Sequence, residues 1–386
     1  MNQCPAADNV HPVDNLVPRV RDLCDQIDSE PLFHLSLHSK ELFHSNLLAW
    51  FADTYPQAAY AVFSRWAEVR PGAPHMRAGR ELRHLDLVIQ LGDLQPLVIE
   101  NKVFALPDSA QLEGIVASHL GKLVDPSLIL LSLLDPGWDA GILRCPPRHV
   151  WHHVSYAELA DALDEVVPSL ATSPGADGFG TDVVRHYVRL IRLLDQLMTL
   201  VEPQGGEDRI ALGPEVLRLL SNLRLDSPAG KRRAQLAISA ARGKSGDAVN
   251  DRPITYVASL TRRLPLAEAF VSLPTGDKLG WQYQQGQFRL AVKVPTGNLY
   301  GSGTAVQHRR EAHVLDHYAK WFDFAALLEV VPEAEGDVPR IEAAGGLHRF
   351  NPDFAYRYRK VPDLTFRQLA EVSARYLDIA GAWPVP

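Results

Sequence analysis

Hydrophobic positions recur with two different periods along the first half of the chain. Over residues 14–30, Leu16, Val20, Leu23 and Ile27 fall at helical spacing. A second helix is expected from about Lys40 to Thr54, where Phe43, Leu47, Trp50, Phe51 and Tyr55 form one apolar stripe and Glu41, His44 and Ser45 lie off it. After a PGAP break at 71–74 the period changes. Met76–Leu82, Leu85–Leu91 and Leu97–Val103 read as strands, with Gly92 and Asp93 as the turn between the last two. A helix over Ser109–Leu123 follows the start signal Pro107-Asp108-Ser109. It leads into Ser127–Leu134, an apolar strand of the kind buried on both faces, then a strand near His149–Val154 and a helix over Tyr156–Val166. This order gives a mixed α/β core around one sheet.

The stretch 168–180 reads as a loop, and an apolar helix over Asp182–Val201 returns to the core. The break EPQGGED at 202–208 opens the second half. Helices are expected there near 213–224, 231–242, 308–330 and 364–380, and strands near 267–273, 280–286 and 287–294. The organisation is therefore an α/β core over 1–201 and a C-terminal α+β region over 210–386.

Composition adds exclusions. Of 386 residues, 46% are hydrophobic and 22% charged, which excludes disorder and collagen-like repeats. Three scattered cysteines without a CxxC argue against a zinc ribbon or a disulfide framework. The N-terminal residues lack a signal-peptide pattern and no apolar run approaches a membrane span, so a soluble, cytoplasmic protein without a membrane partner is expected. The net charge of −7 divides unevenly: residues 1–200 hold 15 Lys+Arg against 25 Asp+Glu, and residues 201–386 hold 24 against 21. An acidic front half suits a carboxylate-rich centre, and the back half is better suited to a polyanion.

The candidate chemistry is compact. Asp86 sits in HLDLVIQL, and Glu100 and Lys102 sit in PLVIENKV. Strand alternation puts Glu100 and Lys102 on one face, with Ile99, Asn101 and Val103 on the other. Charges inside apolar strands cost several kcal/mol, order of magnitude, unless paired or metal-bound. A hard divalent cation, Mg²⁺ or Mn²⁺, offers a common explanation, with Asp86, Glu100 and the backbone carbonyl of Asn101 as ligands. Lys102 would orient or deprotonate water, or stabilise charge on a phosphate. Gln111 could reach the same sheet edge from the next helix, and Glu41 could complete the shell through a water.

Glu41 within KELFHSNLLAWFAD, Asp86 within HLDLVI, Glu100-Asn101-Lys102 within VIENKV and Gln111-Leu112 together resemble the PD-(D/E)xK nuclease superfamily, closest to its bacterial branch with an HSNLLAW-like first helix and an IENK signature. The likeness spans about residues 38–160, with a weaker echo in FNPDFAYRYRKVPD. It implies a restriction-endonuclease-like core of helix, three strands, helix and strand. It also implies Glu41, Asp86, Glu100 and Lys102 as the metal-binding and catalytic set, with Gln111 accessory. The implied activity is metal-dependent hydrolysis of nucleic acid, DNA before RNA, in bacterial defence or DNA processing. Two features depart from the pattern: His84-Leu85 rather than proline precedes Asp86, and Ile115 stands where an aromatic residue is common.

Two rival readings are an inactive nucleic-acid-binding module and an interaction subunit of a larger defence assembly; a homodimer or a defence-system partner is compatible with each. Other motifs carry less. His34, His38 and His44 have metal-like spacing without a supporting ligand set, and His152-His153 reads as a strand end. Arg242-Gly243-Lys244-Ser245 lacks the glycine and loop of a phosphate-binding motif. Basic clusters at Lys231-Arg232-Arg233, Arg262-Arg263 and Arg309-Arg310 read as solvated surface, and alternation over Tyr356–Lys360 sets Tyr356 and Tyr358 on one face and Arg357 and Arg359 on the other, as in a strand half-packed in the core.

Overall fold

The computed structural model describes residues 16–36, 41–67, 76–82, 85–91, 95–103, 109–120, 123, 125–146, 148–172, 178–294, 304–336, 347–349 and 353–384. The fold is α/β, with one mixed and one antiparallel sheet flanked by helices. It divides into two compact units, Met1–Val201 with Glu215–Pro228, and Glu202–Pro214 with Ala229–Pro386. The segment around 215–228, read from sequence as part of the C-terminal region, thus belongs to the first unit. No helix among the described residues is long and apolar enough to cross a membrane. The turn at Gly92-Asp93, the PGAP break, Pro107-Asp108, His38 and His84 lie outside the described residues.

The first unit opens with α1 (Leu16–Asp28), α2 (Pro31–Leu35), α3 (Glu41–Thr54) and α4 (Pro56–Phe63). Then come β1 (Met76–Leu82), β2 (Leu85–Leu91), β3 (Gln95–Lys102), α5 (Ser109–His119), β4 (Ser127–Ser132), β5 (Ile142–Cys145), β6 (His149–Ser155), α6 (Tyr156–Leu170), α7 (Gly178–Val201) and α8 (Pro214–Asn222). The sheet order is β1-β2-β3-β4-β6-β5. The first three strands form an antiparallel meander, β3, β4 and β6 run parallel, and β5 closes the edge antiparallel to β6. The parallel step from β3 to β4 requires a crossover, and α5 provides it. Strand β4 is buried almost throughout, as its unbroken apolar run requires.

Several expectations need correction. The presumed loop from 168 onward is helical to Leu170, with Pro168 in the last turn of α6 at the cost of one backbone hydrogen bond. The capping box of Ser155 and Glu158 fixes the start of that helix. In α3 the buried face is wider than the stripe Phe43–Tyr55: His44 and Ser45 are buried too, while Phe43 and Trp50 are half-exposed. The helix packs against β1, β2 and β3 and is also touched from α7, so two faces are covered.

The second unit contains α9 (Asp226–Ser245), shared at its start with the first, β7 (Ala248–Val249), β8 (Arg252–Thr261), β9 (Leu264–Ser272), β10 (Lys278–Gln284) and β11 (Gln287–Lys293). It continues with α10 (Thr304–Tyr318), α11 (Ala325–Val330), β12 (His348–Arg349), β13 (Phe354–Lys360) and α12 (Phe366–Gly381). The sheet is antiparallel, β12-β13-β11-β10-β9-β8-β7. One face holds the main core, including Trp281, Phe288, Leu290, Tyr376 and Leu369. In β13 the register sets Arg357 against Leu290 and Arg359 against Phe288, so the arginines share this core face and lie over the rings of Phe322 and Phe324. Tyr356 and Tyr358 take the other face, with Arg289 over the Tyr356 ring. Arg233 is also buried, donating to the carbonyls of Ile210 and Arg209. Arg242–Ser245 is helical, so no phosphate loop exists there.

Gly280 faces the Phe270 ring across the β9–β10 pair; a Cβ there would stand 2.0 Å from the Ala269 carbonyl oxygen and 2.6 Å from the ring. Gly280→Ala is expected to destabilise the protein by about 1–3 kcal/mol through overpacking, read as a lowered urea midpoint. An unchanged midpoint would contradict this packing.

Candidate active site

The end of β3 collects the charges. Register pairs Leu87 with Ile99, and the next step along this antiparallel ladder sets Asp86 beside Glu100 on one face. Lys102, two residues on, shares the face of Glu100 and is the last residue of its strand. Glu41 is the first residue of α3, whose packing on β1–β3 brings the helix start to the same strand end.

The ammonium of Lys102 is the centre. Its Nζ lies 2.9 Å from Glu100 Oε1, 3.5 Å from Glu41 Oε2 and 3.8 Å from Asp86 Oδ2. Glu100 is the most enclosed, with 5% of its side chain exposed, against about a third for Asp86 and Glu41. Asp86 Oδ2 also accepts the Asn101 backbone N–H at 3.0 Å, where β2 has run out of ladder partners. The Asn101 carbonyl projects to the same edge as that N–H, as both groups of one strand residue do. Gln111 stands on the exposed side of α5 in its first turn, beside buried Leu112.

Electrostatics follow from this geometry. Burial first, and then the neighbouring Asp86, push the Glu100 carboxyl up from its ordinary 4.5 to about 7 although Lys102 opposes the shift. Burial acts to lower the pKa of Lys102, and its three carboxylate neighbours more than cancel that, holding the ammonium above its ordinary range. Three carboxylates and one ammonium leave two negative charges in excess when all are ionised. Oxygen donors with that excess fit a hard dication such as Mg²⁺ or Mn²⁺, and Asp86 and Glu100 are the residues that could hold it. Among the described residues no group of three His, Cys, Asp or Glu is arranged to hold an ion directly. Here the ammonium occupies the centre of the carboxylates.

Behind the site lies a buried polar chain that periodicity did not reveal. Asn101 Nδ2 donates to the Glu41 carbonyl at 3.0 Å and to Ser45 Oγ at 3.1 Å, and the Tyr156 hydroxyl donates to Asn101 Oδ1. His44 Nδ1 lies 3.0 Å from the Tyr187 hydroxyl, and burial lowers the His44 pKa to about 3, so the ring is neutral. Polar residues interrupting an apolar helix, His44-Ser45, were the available signal. His34 bonds instead to the Asp28 carbonyl, so the histidines do not converge. His152 lies elsewhere, lining a cavity of about 680 Å³ with Arg65, Trp66 and Arg148; none of the four charged residues lines it.

Comparison with protein-family models, with characterised proteins and with solved structures finds no match in any of the three.

A carboxyl whose pKa rises on folding binds its proton more tightly in the native state, so its contribution to stability falls as pH rises from about 4.5 through about 7. Glu100→Gln should flatten that fall. In metal-free buffer its melting temperature is expected to exceed that of the wild type above pH 7, with the gap closing below pH 4.5. A gap independent of pH would contradict the assignment.

Proposed function

We propose that the chain is a metal-dependent nuclease of the PD-(D/E)xK kind, with a restriction-endonuclease-like core, acting on phosphodiester bonds and on DNA before RNA. The convergence of Glu41, Asp86 and Glu100 on Lys102 at the end of β3 carries this reading. The order of a helix, three antiparallel strands, a crossover helix and a parallel strand supports it. A role in bacterial defence or DNA processing fits that reading. Substrate grip, regulation or dimer contacts fall to the more basic residues 201–386.

In this reading Asp86 and Glu100 would hold Mg²⁺ or Mn²⁺, and Glu41 would complete the shell through a water. When bound, the ion supplies Lewis-acid polarisation of the scissile phosphate and of the attacking water. Lys102, kept protonated by its three partners, donates hydrogen bonds to that water or to the phosphate oxygens. It balances negative charge as the phosphorus centre becomes more crowded.

Purified protein incubated with linear and circular plasmid DNA is expected to cut only with Mg²⁺ or Mn²⁺ and not in EDTA. Lys102→Ala and Glu100→Ala should each lower the rate by roughly 100-fold or more. DNA left whole yet shifted in a gel would replace catalysis with binding alone. Neither cutting nor shift would overturn both.

A further inference from the structure

The buried chain behind the site holds the Asn101 amide in one orientation. Both hydrogens of Asn101 Nδ2 are committed, to the Glu41 carbonyl and to Ser45 Oγ, which fixes Oδ1 toward Tyr156. Ser45 Oγ donates onward to the same Glu41 carbonyl at 3.0 Å. The single Tyr156 proton is spent on Asn101 Oδ1. Neutral His44 and the Tyr187 hydroxyl share a further hydrogen bond, Nδ1 to oxygen at 3.0 Å.

All five side chains are at least nine-tenths buried, and the run ends on the carbonyl of Glu41. Burying so many polar groups is costly unless each is satisfied, and a satisfied network specifies one arrangement. The arrangement specified is the separation between the first turn of α3 and the end of β3. Asn101 lies between Glu100 and Lys102 in sequence, on the opposite strand face, and grips the backbone of the residue whose carboxylate meets Lys102.

We propose that Asn101 and Tyr156 are positioning residues: Asn101 fastens the Glu41 backbone to β3, and the Tyr156 hydroxyl fixes the orientation of the Asn101 amide. This rests on the reading of the charged quartet as a metal-dependent nuclease centre. His44, Ser45 and Tyr187 complete the support from α3 and α7. Groups that orient metal-site carboxylates from behind commonly change metal affinity or activity by about 10–100-fold when removed.

The test compares wild type, Tyr156→Phe, Asn101→Ala and the double variant as full-length protein. The readouts are Mn²⁺ binding by calorimetry, plasmid cleavage resolved into kcat and KM, and thermal melting. Tyr156→Phe removes one hydroxyl and is expected to weaken Mn²⁺ binding and lower kcat by about 10-fold or more, with KM for DNA unchanged. The double variant should lose no more than Asn101→Ala alone, since both act through one contact. Should Asn101→Ala fail to fold, Tyr156→Phe still decides. Wild-type Mn²⁺ affinity and kcat in Tyr156→Phe, or a loss matched by its unfolded fraction, would overturn the positioning role while leaving the nuclease reading intact. A wild type that neither binds Mn²⁺ nor cuts would remove that reading, and the positioning role with it.

Discussion

A carboxylate on the central strand of a sheet is held in place by one ammonium, and the candidate site is built around that pairing. Glu100 lies between β2 and β4 with almost no exposed side chain. Its charge is tolerated there because Lys102 stands 2.9 Å away at the strand end. Lys102 in turn meets Asp86 and Glu41, so one cation answers three anions. Burial, with Asp86 beside it, raises the pKa of Glu100, and the three carboxylates raise that of Lys102 against its burial: the acid is reluctant to ionise and the base reluctant to release its proton.

The framework makes the cluster reproducible. Antiparallel pairing of β2 and β3 brings Asp86 beside Glu100 without help from a loop. The parallel pairing of β3 with β4 covers the other side, with Lys102 opposite the buried Ser132. Glu41 alone arrives from a helix, and the helix start is where the buried amide of Asn101 takes hold. Elements that must agree to within an ångström are thus tied by directional bonds, while apolar contacts supply the bulk of the packing.

How much of this was legible in the sequence depended on range. The first three strands and the faces of Asp86, Glu100 and Lys102 follow from a two-residue period, and β1 and β2 have the expected bounds. Short elements without a full period, α2, α4 and β5, left no such signal. The hairpins of the second unit could have been found from turn chemistry. Asn250-Asp251, Arg262-Arg263 and Gln285-Gly286 all adopt positive φ between paired strands, and only the first and last contain residues that favour it. His44 and Ser45 looked like the outer side of α3 because their partners, Tyr187 and Asn101, lie 143 and 56 residues away. No local pattern encodes contacts of that range.

The central claim is that the quartet is a divalent-cation site in which Lys102 balances charge and is not itself a ligand. Calorimetric titration of Mn²⁺ into wild type, Glu100→Gln and Lys102→Met tests it most directly. The account predicts binding by the wild type, loss of binding in Glu100→Gln, and binding at least as tight in Lys102→Met, where the carboxylates have lost their internal counter-charge. No binding by any of the three, or the same affinity in all, would contradict it.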